Sequence, residues 1–289
     1  MYSVVLDDGR AVDASLRGRL KQSGSPVVIG DRVSLLQGGE SAYTIEAVEP
    51  RATELVRRGR AGRAPKVVAA NLDRVFAVVS LVDPPATTEL VDRLLVMIEA
   101  SGMHPLLVLN KVDIERAPAV AEELVPLYES VGYRTFAVSS RSGAGLEALG
   151  AMLCQGSSAL IGPSGVGKSS ILNALDPHLE LRTGEISGRT STGRHTTVSS
   201  RLIRLECGGA VADTPGFGEV ALWGIEPGEV AACFPEMREP AAGCRFRRCT
   251  HLHEPDCGVR DALEEGRIPE SRYRSYGKLR AEADEAAER

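Results

Sequence analysis

Residues 162–169 read GPSGVGKS, in which Gly162 and Gly167 bracket Pro163, Ser164, Gly165 and Val166 and lead into Lys168 and Ser169. Glycines at that spacing let consecutive backbone N–H groups curl round a phosphate chain, and the lysine reaches the outer phosphates. The Ser169 hydroxyl is the kind of group such loops give to Mg²⁺, and a helix running on through Ser170 turns its positive end to the same charge. A second stretch, LVLNKVD at 107–113, carries base-reading chemistry. Asn110 can hydrogen-bond the guanine edge, with Lys111 beside it, while the acceptor-only carboxylate of Asp113 suits a base that offers a ring N–H and an exocyclic amine. Adenine offers neither donor there, so the pattern predicts GTP over ATP. VSSRSG at 138–143 supplies small residues, Ser139 and Ser140, that could back the base.

The third part is DTPGFG at 213–218. Asp213 is a candidate to hold Mg²⁺ through water, and the Gly216 N–H to sense the γ-phosphate. Between this stretch and the glycine loop lies SGRTSTGRHTTVSS, 187–200, where a switch segment belongs; Thr196 or Thr197 would join Ser169 and Asp213 as a magnesium ligand. Where Ras-like enzymes place a water-orienting glutamine, this chain has Phe217. Slow hydrolysis by the isolated protein follows. Candidate catalytic groups are Lys168, Gly216 and His195, whose neutral imidazole could accept a hydrogen bond from water. A loop histidine touching RNA, or a group supplied by a partner, are the alternatives for His195.

CRFRRCTHLHEPDC, 244–257, sets Cys244, Cys249, His251 and Cys257 within fourteen residues. Three sulfurs and one nitrogen suit a closed tetrahedral zinc site, which is structural rather than catalytic. His253 could replace His251. Cys154, Cys207 and Cys233 are scattered and expected to be buried apolar fillers. Arg245, Arg247 and Arg248 lie in the same loop, where RNA phosphates could meet them, a solvated charge run being the alternative.

These loops need elements to hold them. Residues 1–58 alternate short β-type runs with Gly, Asp and Ser turns and read as a small closed β-barrel. Residues 59–69 read as a basic linker. From 70 to 221, apolar runs such as RVFAVVSLV and PLLVLN alternate with amphipathic helices, which implies an α/β P-loop domain with parallel strands. Residues 222–289 carry the cysteine loop and a charged helical tail, a mainly α zinc-binding domain. The base reader precedes the phosphate loop, so the GTPase domain is circularly permuted, its cut in a surface connection. DTPGFG then runs straight into the cysteine region, and the state of the nucleotide is expected to be transmitted there.

A formal charge of −5 excludes a uniformly basic coat, yet 51–66 concentrate six basic residues against one glutamate, a local patch for RNA. With only Tyr2 and Tyr43 as barrel aromatics, shape and phosphate contacts fit better than base stacking. No run is long and apolar enough to span a membrane and the start lacks a signal-peptide pattern, so a cytoplasmic protein is expected, and nothing in the sequence requires more than a monomer.

The permuted order together with GDRV, AANLDRV, LVLNKVD, GPSGVGKSS, GRHTT, DTPGFG and CRFRRCTHLHEPDCGV resembles the RsgA (YjeQ) family, the ribosome small-subunit-dependent GTPases, over nearly the whole chain. The resemblance implies an OB-fold domain, hydrolysis of GTP to GDP and phosphate stimulated by the 30S subunit and its rRNA, and a role in late small-subunit maturation. Its pattern favours His251 as the zinc ligand. The stretch before the barrel is short for that family, so an RNA-binding extension ahead of it is not expected. Two other readings compete: a GTP-gated rRNA-binding scaffold with incidental hydrolysis, and a permuted GTPase of large-subunit assembly.

Overall fold

The computed structural model of the 289-residue chain describes residues 1–22, 26–38, 42–57, 66–181, 201–213 and 225–288. Strands β1 (Tyr2–Val5), β2 (Ala11–Leu16), β3 (Val33–Gly38) and β4 (Ala42–Val48) form a four-stranded sheet of order β1-β2-β4-β3, with the short helix α1 (Gly18–Gln22) after β2. Ala14 and Ile45 are its fully buried apolar residues, a small core for a small unit.

Strand β5 (Glu54–Arg57) does not join that sheet; it pairs antiparallel with β6 (Lys66–Ala70), and an isolated bridge from Ile29 to Ala69 ties the hairpin back. Residues 66–69, read from sequence as linker, are therefore strand. Gly30 makes this junction possible, because a Cβ there would lie 1.9 Å from the Ala70 carbonyl oxygen. Asn71 locks it, donating to the Gly30 carbonyl and accepting from the Ala52 N–H. Arg51, first of the basic cluster, is held by Asp31, whose side chain is 1% exposed. It is a structural ion pair rather than part of a free RNA patch.

The central sheet has order β11-β12-β10-β7-β8-β9, from β7 (Arg74–Ser80), β8 (Leu106–Asn110), β9 (Thr135–Val138), β10 (Ser157–Ile161), β11 (Arg201–Arg204) and β12 (Ala210–Asp213). All pairs are parallel except the edge pair β11 with β12. Helices α2 (Thr88–Glu99), α3 (Ala117–Ser130), α4 (Leu146–Leu153) and α5 (Lys168–Leu175) cover it. Apolar cores lie on both faces, which is why β7 reads as a continuous run instead of alternating: one core gathers Val75, Val79 and Leu109 against α2 and α3, the other Phe76, Val78 and Val108 against α4 and α5. The chain steps outward from β7 through β8 to β9, then returns to the other side of β7 for β10. Such reversals open a crevice at the C-terminal strand ends, where open α/β sheets bind ligands.

Helices α6 (Pro235–Ala241), α7 (Gly258–Glu264) and α8 (Glu270–Ala287) build the C-terminal unit around Phe234, Met237 and Tyr276. Among the described residues no helix is long and apolar enough to cross a membrane.

Two of the expected filler cysteines are something else. Cys233 is buried, but Cys154 and Cys207 form a disulfide, Cys154 half-buried and Cys207 exposed. The physical reason is a close approach. A Cβ on Gly209 would sit 1.9 Å from the Leu153 carbonyl oxygen, so only glycine lets the β11–β12 turn lie against the end of α4.

Candidate nucleotide and metal sites

The glycine loop leaves the C-terminal end of β10, beside β7. Gly162 lies where a Cβ would be 1.9 Å from the Val78 carbonyl oxygen, and Gly165 and Gly167 take left-handed φ of +82° and +97°. Glycine tolerates that backbone at no steric cost. Lys168 and Ser169, the first residues of α5, are both buried. The Lys168 ammonium donates to the carbonyls of Gly162 (2.7 Å) and Pro163 (2.8 Å), so the cation is poised at the mouth of its own loop. Phosphate oxygens there could replace those carbonyls as its partners.

Asn110, at the end of β8 and fully buried, donates through Nδ2 to the Val166 carbonyl of the glycine loop (2.9 Å) and accepts from the Ser140 N–H (3.4 Å). One amide thus ties the base reader, the β9 loop and the phosphate loop together. A Cβ on Gly167 would fall 2.2 Å from this Nδ2, which makes that glycine part of the junction. Lys111 takes a left-handed φ of 70° and its ammonium caps the Val82 and Asp83 carbonyls, bracing the loop after β7. Asp113 is exposed, its carboxylate accepting from the Ser139 hydroxyl at 2.6 Å. Ser139 is buried and its oxygen accepts from the N–H groups of Arg141 and Ser142, so the orienting hydroxyl is itself fixed. An exposed carboxylate is an acceptor only, the property a guanine reader requires.

β12 ends at Asp213, and its register with β10 sets Ala212 opposite Ala159, so the aspartate follows on the strand next to the one feeding the phosphate loop. The backbone thus brings the end of β12 beside β10, whose loop leads to Ser169 in the first turn of α5. His195, Thr196, Thr197, Gly216 and Phe217 lie outside the described residues.

In the C-terminal unit the ligand atoms of Cys244, Cys249, His251 and Cys257 all lie within 4.8 Å of one another. Cys244 Sγ is 3.8 Å from Cys257 Sγ, and His251 Nδ1 is 3.4 Å and 3.5 Å from those two sulfurs. A tetrahedral ion bound at ordinary zinc–sulfur and zinc–nitrogen lengths has edges of about 3.8 Å and about 3.6 Å, so the four groups fit a metal of that kind. Burial lowers the pKa of His251 and so favours the neutral, ligating imidazole. Burial also pushes the Cys249 thiol up to about 12, a thiol that a cation would have to deprotonate. His253, the alternative ligand, is exposed and outside the cluster.

The surrounding hydrogen bonds aim these ligands. Glu254 accepts from the Thr250 N–H (2.7 Å) and hydroxyl (2.9 Å), fixing the turn between Cys249 and His251. Burial works against its charge, but the Thr250 and His253 donors hold its carboxyl well below the usual range. Tyr273 donates to the His251 carbonyl at 2.6 Å and Tyr276 to that of Thr250.

The RsgA GTPase family model matches residues 48–223. A protein of Gemmatimonas aurantiaca named small ribosomal subunit biogenesis GTPase RsgA is 44% identical, over 98% of this chain and 94% of its own. Its namesake in Moorella thermoacetica is 42% identical, over 95% and 91%. The crystal structure of YjeQ from Thermotoga maritima superposes with a TM-score of 0.80 at 34% identity, covering 96% of this chain and 91% of that one. YloQ, described as a circularly permuted GTPase, gives 0.77 at 30%, covering 98% and 91%. The chain belongs to the RsgA GTPase family.

Membership makes it a circularly permuted GTPase of small ribosomal subunit biogenesis. One feature of this RsgA-family chain escaped the motifs altogether. Arg272 of α8 is fully buried; it donates to Asp92 of α2 (2.5 Å) and to Glu236 of α6 (2.7 Å and 3.1 Å), with Phe234 4.6 Å from its guanidinium. Burial works against its charge, while Asp92 and Glu236 hold its pKa raised. The pair joins the metal unit to the GTPase domain. The only sequence signal was an aspartate on the apolar face of a predicted helix.

Proposed function

We propose that this chain binds the 30S ribosomal subunit through its rRNA and hydrolyses GTP slowly until the subunit stimulates it, as a cytoplasmic monomer in late small-subunit maturation. The observation that carries the nucleotide reading is the Asn110 side chain, which joins the base loop to the phosphate loop across the strand ends. Asp113 selects guanine, with Ser139 and Ser140 behind the base. The N–H groups of residues 164–169 cradle the phosphates, and Lys168 transfers from its loop carbonyls to the outer phosphate oxygens. Ser169, Asp213 and Thr197 or Thr196 would hold Mg²⁺, which when bound neutralises charge developing on the β- and γ-phosphates. Gly216 senses the γ-phosphate. With Phe217 in the glutamine position, His195 is our candidate to orient water once the ribosome has set the segment. Cys244, Cys249, His251 and Cys257 hold one structural zinc, and Arg247 and Arg248, both exposed, face rRNA phosphate from the same loop.

The test is steady-state GTP hydrolysis by the purified chain, alone and with 30S or 50S subunits. A large rise with 30S only is expected, and His195→Ala should abolish it while leaving GTP binding intact. Tight GTP-dependent 30S binding without any rise would replace this reading with the scaffold, and a rise with 50S would move the chain to large-subunit assembly.

A further inference from the structure

We propose that Cys154 and Cys207 are a redox modification site, a thiol pair that low-molecular-weight disulfides oxidise, closing a covalent ring round the phosphate-binding part of the chain. The ring has a sequence separation of 53 and contains β10, the glycine loop, α5 and the candidate switch stretch 187–200. The bond sits at the N-terminal ends of β10 and β12, and the glycine loop and Asp213 at their C-terminal ends. It therefore touches no nucleotide-binding group, yet it links the two strands that carry them.

Backbone, not sulfur, sets the approach. The turn after β11 is closed by hydrogen bonds from Leu205 N–H to Gly209 O and from Gly208 N–H to Leu205 O, both 2.9 Å. Ala210 N–H donates to Gly156 O, also at 2.9 Å, and the β10–β12 ladder continues from Ser157 with Ala210. A Cβ at Gly209 would meet the Leu153 carbonyl oxygen at 1.9 Å and Cys154 Cα at 2.9 Å. These contacts need no sulfur bond, so the cysteines stay face to face as thiols and the site can cycle. Cys207 is exposed and accessible to a small disulfide, while Cys154, capping α4, is half-buried and placed to resolve. The other four cysteines are committed elsewhere: Cys233 is buried in the C-terminal core, and Cys244, Cys249 and Cys257 belong to the metal cluster.

Oxidation is a balanced exchange. The Cys207 thiolate attacks one sulfur of a small disulfide and expels one thiolate; the Cys154 thiolate then attacks Cys207 Sγ and expels the second. Two protons and two electrons leave the pair, and the small disulfide becomes two thiols. A dithiol reverses both steps.

The experiment uses the full, metal-loaded chain equilibrated across mixtures of oxidised and reduced glutathione, quenched with iodoacetamide and mapped by peptide mass spectrometry. We expect the labels on Cys154 and Cys207 to fall together as the mixture becomes oxidising, with a linked peptide appearing, while Cys233 does not respond. The oxidised chain should melt roughly 10 °C above the reduced one, as closing a loop of this length predicts. Cys207→Ser, an exposed turn substitution, should melt at one temperature in both buffers. Labelling of Cys154 and Cys207 that is independent of the mixture would overturn the proposal. So would a melting difference that persists in Cys207→Ser, since it would then belong to the metal thiols.

Discussion

The nucleotide site and the metal cluster differ in what they are made of. At the ends of β8 and β10 the working surface is largely main chain, and its polar side chains already have internal partners: Lys168 on its own loop carbonyls, Asn110 on Val166, Asp113 on Ser139. At the metal cluster the surface is side chains alone, three thiols and an imidazole crowded within 4.8 Å. A satisfied cradle keeps its shape with or without a ligand, because each donor has somewhere else to go. Crowded thiols and an imidazole have only one another as partners, so under the proposed metal reading the fold around them would depend on a cation. The difference teaches where each site should be fragile: the first in affinity, the second in folding.

The largest effect is expected from metal removal. Chelation, or Cys249→Ser, should release the bound ion and unfold the C-terminal unit, read as lost metal content together with lost helical circular dichroism. A C-terminal unit that stays helical without metal would erase the contrast. Next is the buried charge joining the two regions. Arg272→Ala leaves Asp92 and Glu236 buried without their partner and should cost about 3–5 kcal/mol in denaturant unfolding, with Arg272→Met paired with Asp92→Asn recovering part of it.

On the nucleotide side the changes should appear in binding and leave unfolding almost untouched. Asp113→Ala should weaken GTP by roughly 100-fold, the size of losing a charged hydrogen-bond pair to the base, and bring GTP and ATP affinities together in fluorescence titrations. Ser139→Ala keeps the carboxylate but frees its orientation, and a loss of about 1 kcal/mol, roughly 5-fold, is expected. Equal losses for the two would mean that Ser139 contacts the base itself.

Much of the nucleotide side was legible because it is local. The turns of GPSGVGKS and NKVD are specified by consecutive residues, and the glycines required at 162, 165 and 167 by sterics appear as glycines in the chain. The cysteine and histidine cluster was legible for a similar reason, its members lying within fourteen residues. Linker residues 66–69 were misread because a basic, glycine-rich stretch runs directly into a strand whose partner, β5, had been given to the barrel. The cysteines at 154 and 207 were misread because nothing in their neighbourhoods announces a contact across 53 positions.

By itself the sequence determined the chemistry of the loops and the permuted order of the nucleotide elements, since backbone conformation and ligand type are properties of short segments. Only the tertiary structure decided which distant residues meet. Arg272 finds Asp92 across 180 positions because α8 packs on α2, and Asn110 reaches Val166 because β8 and β10 flank β7. Such pairs depend on how helices and strands pack, which the residue types alone leave open.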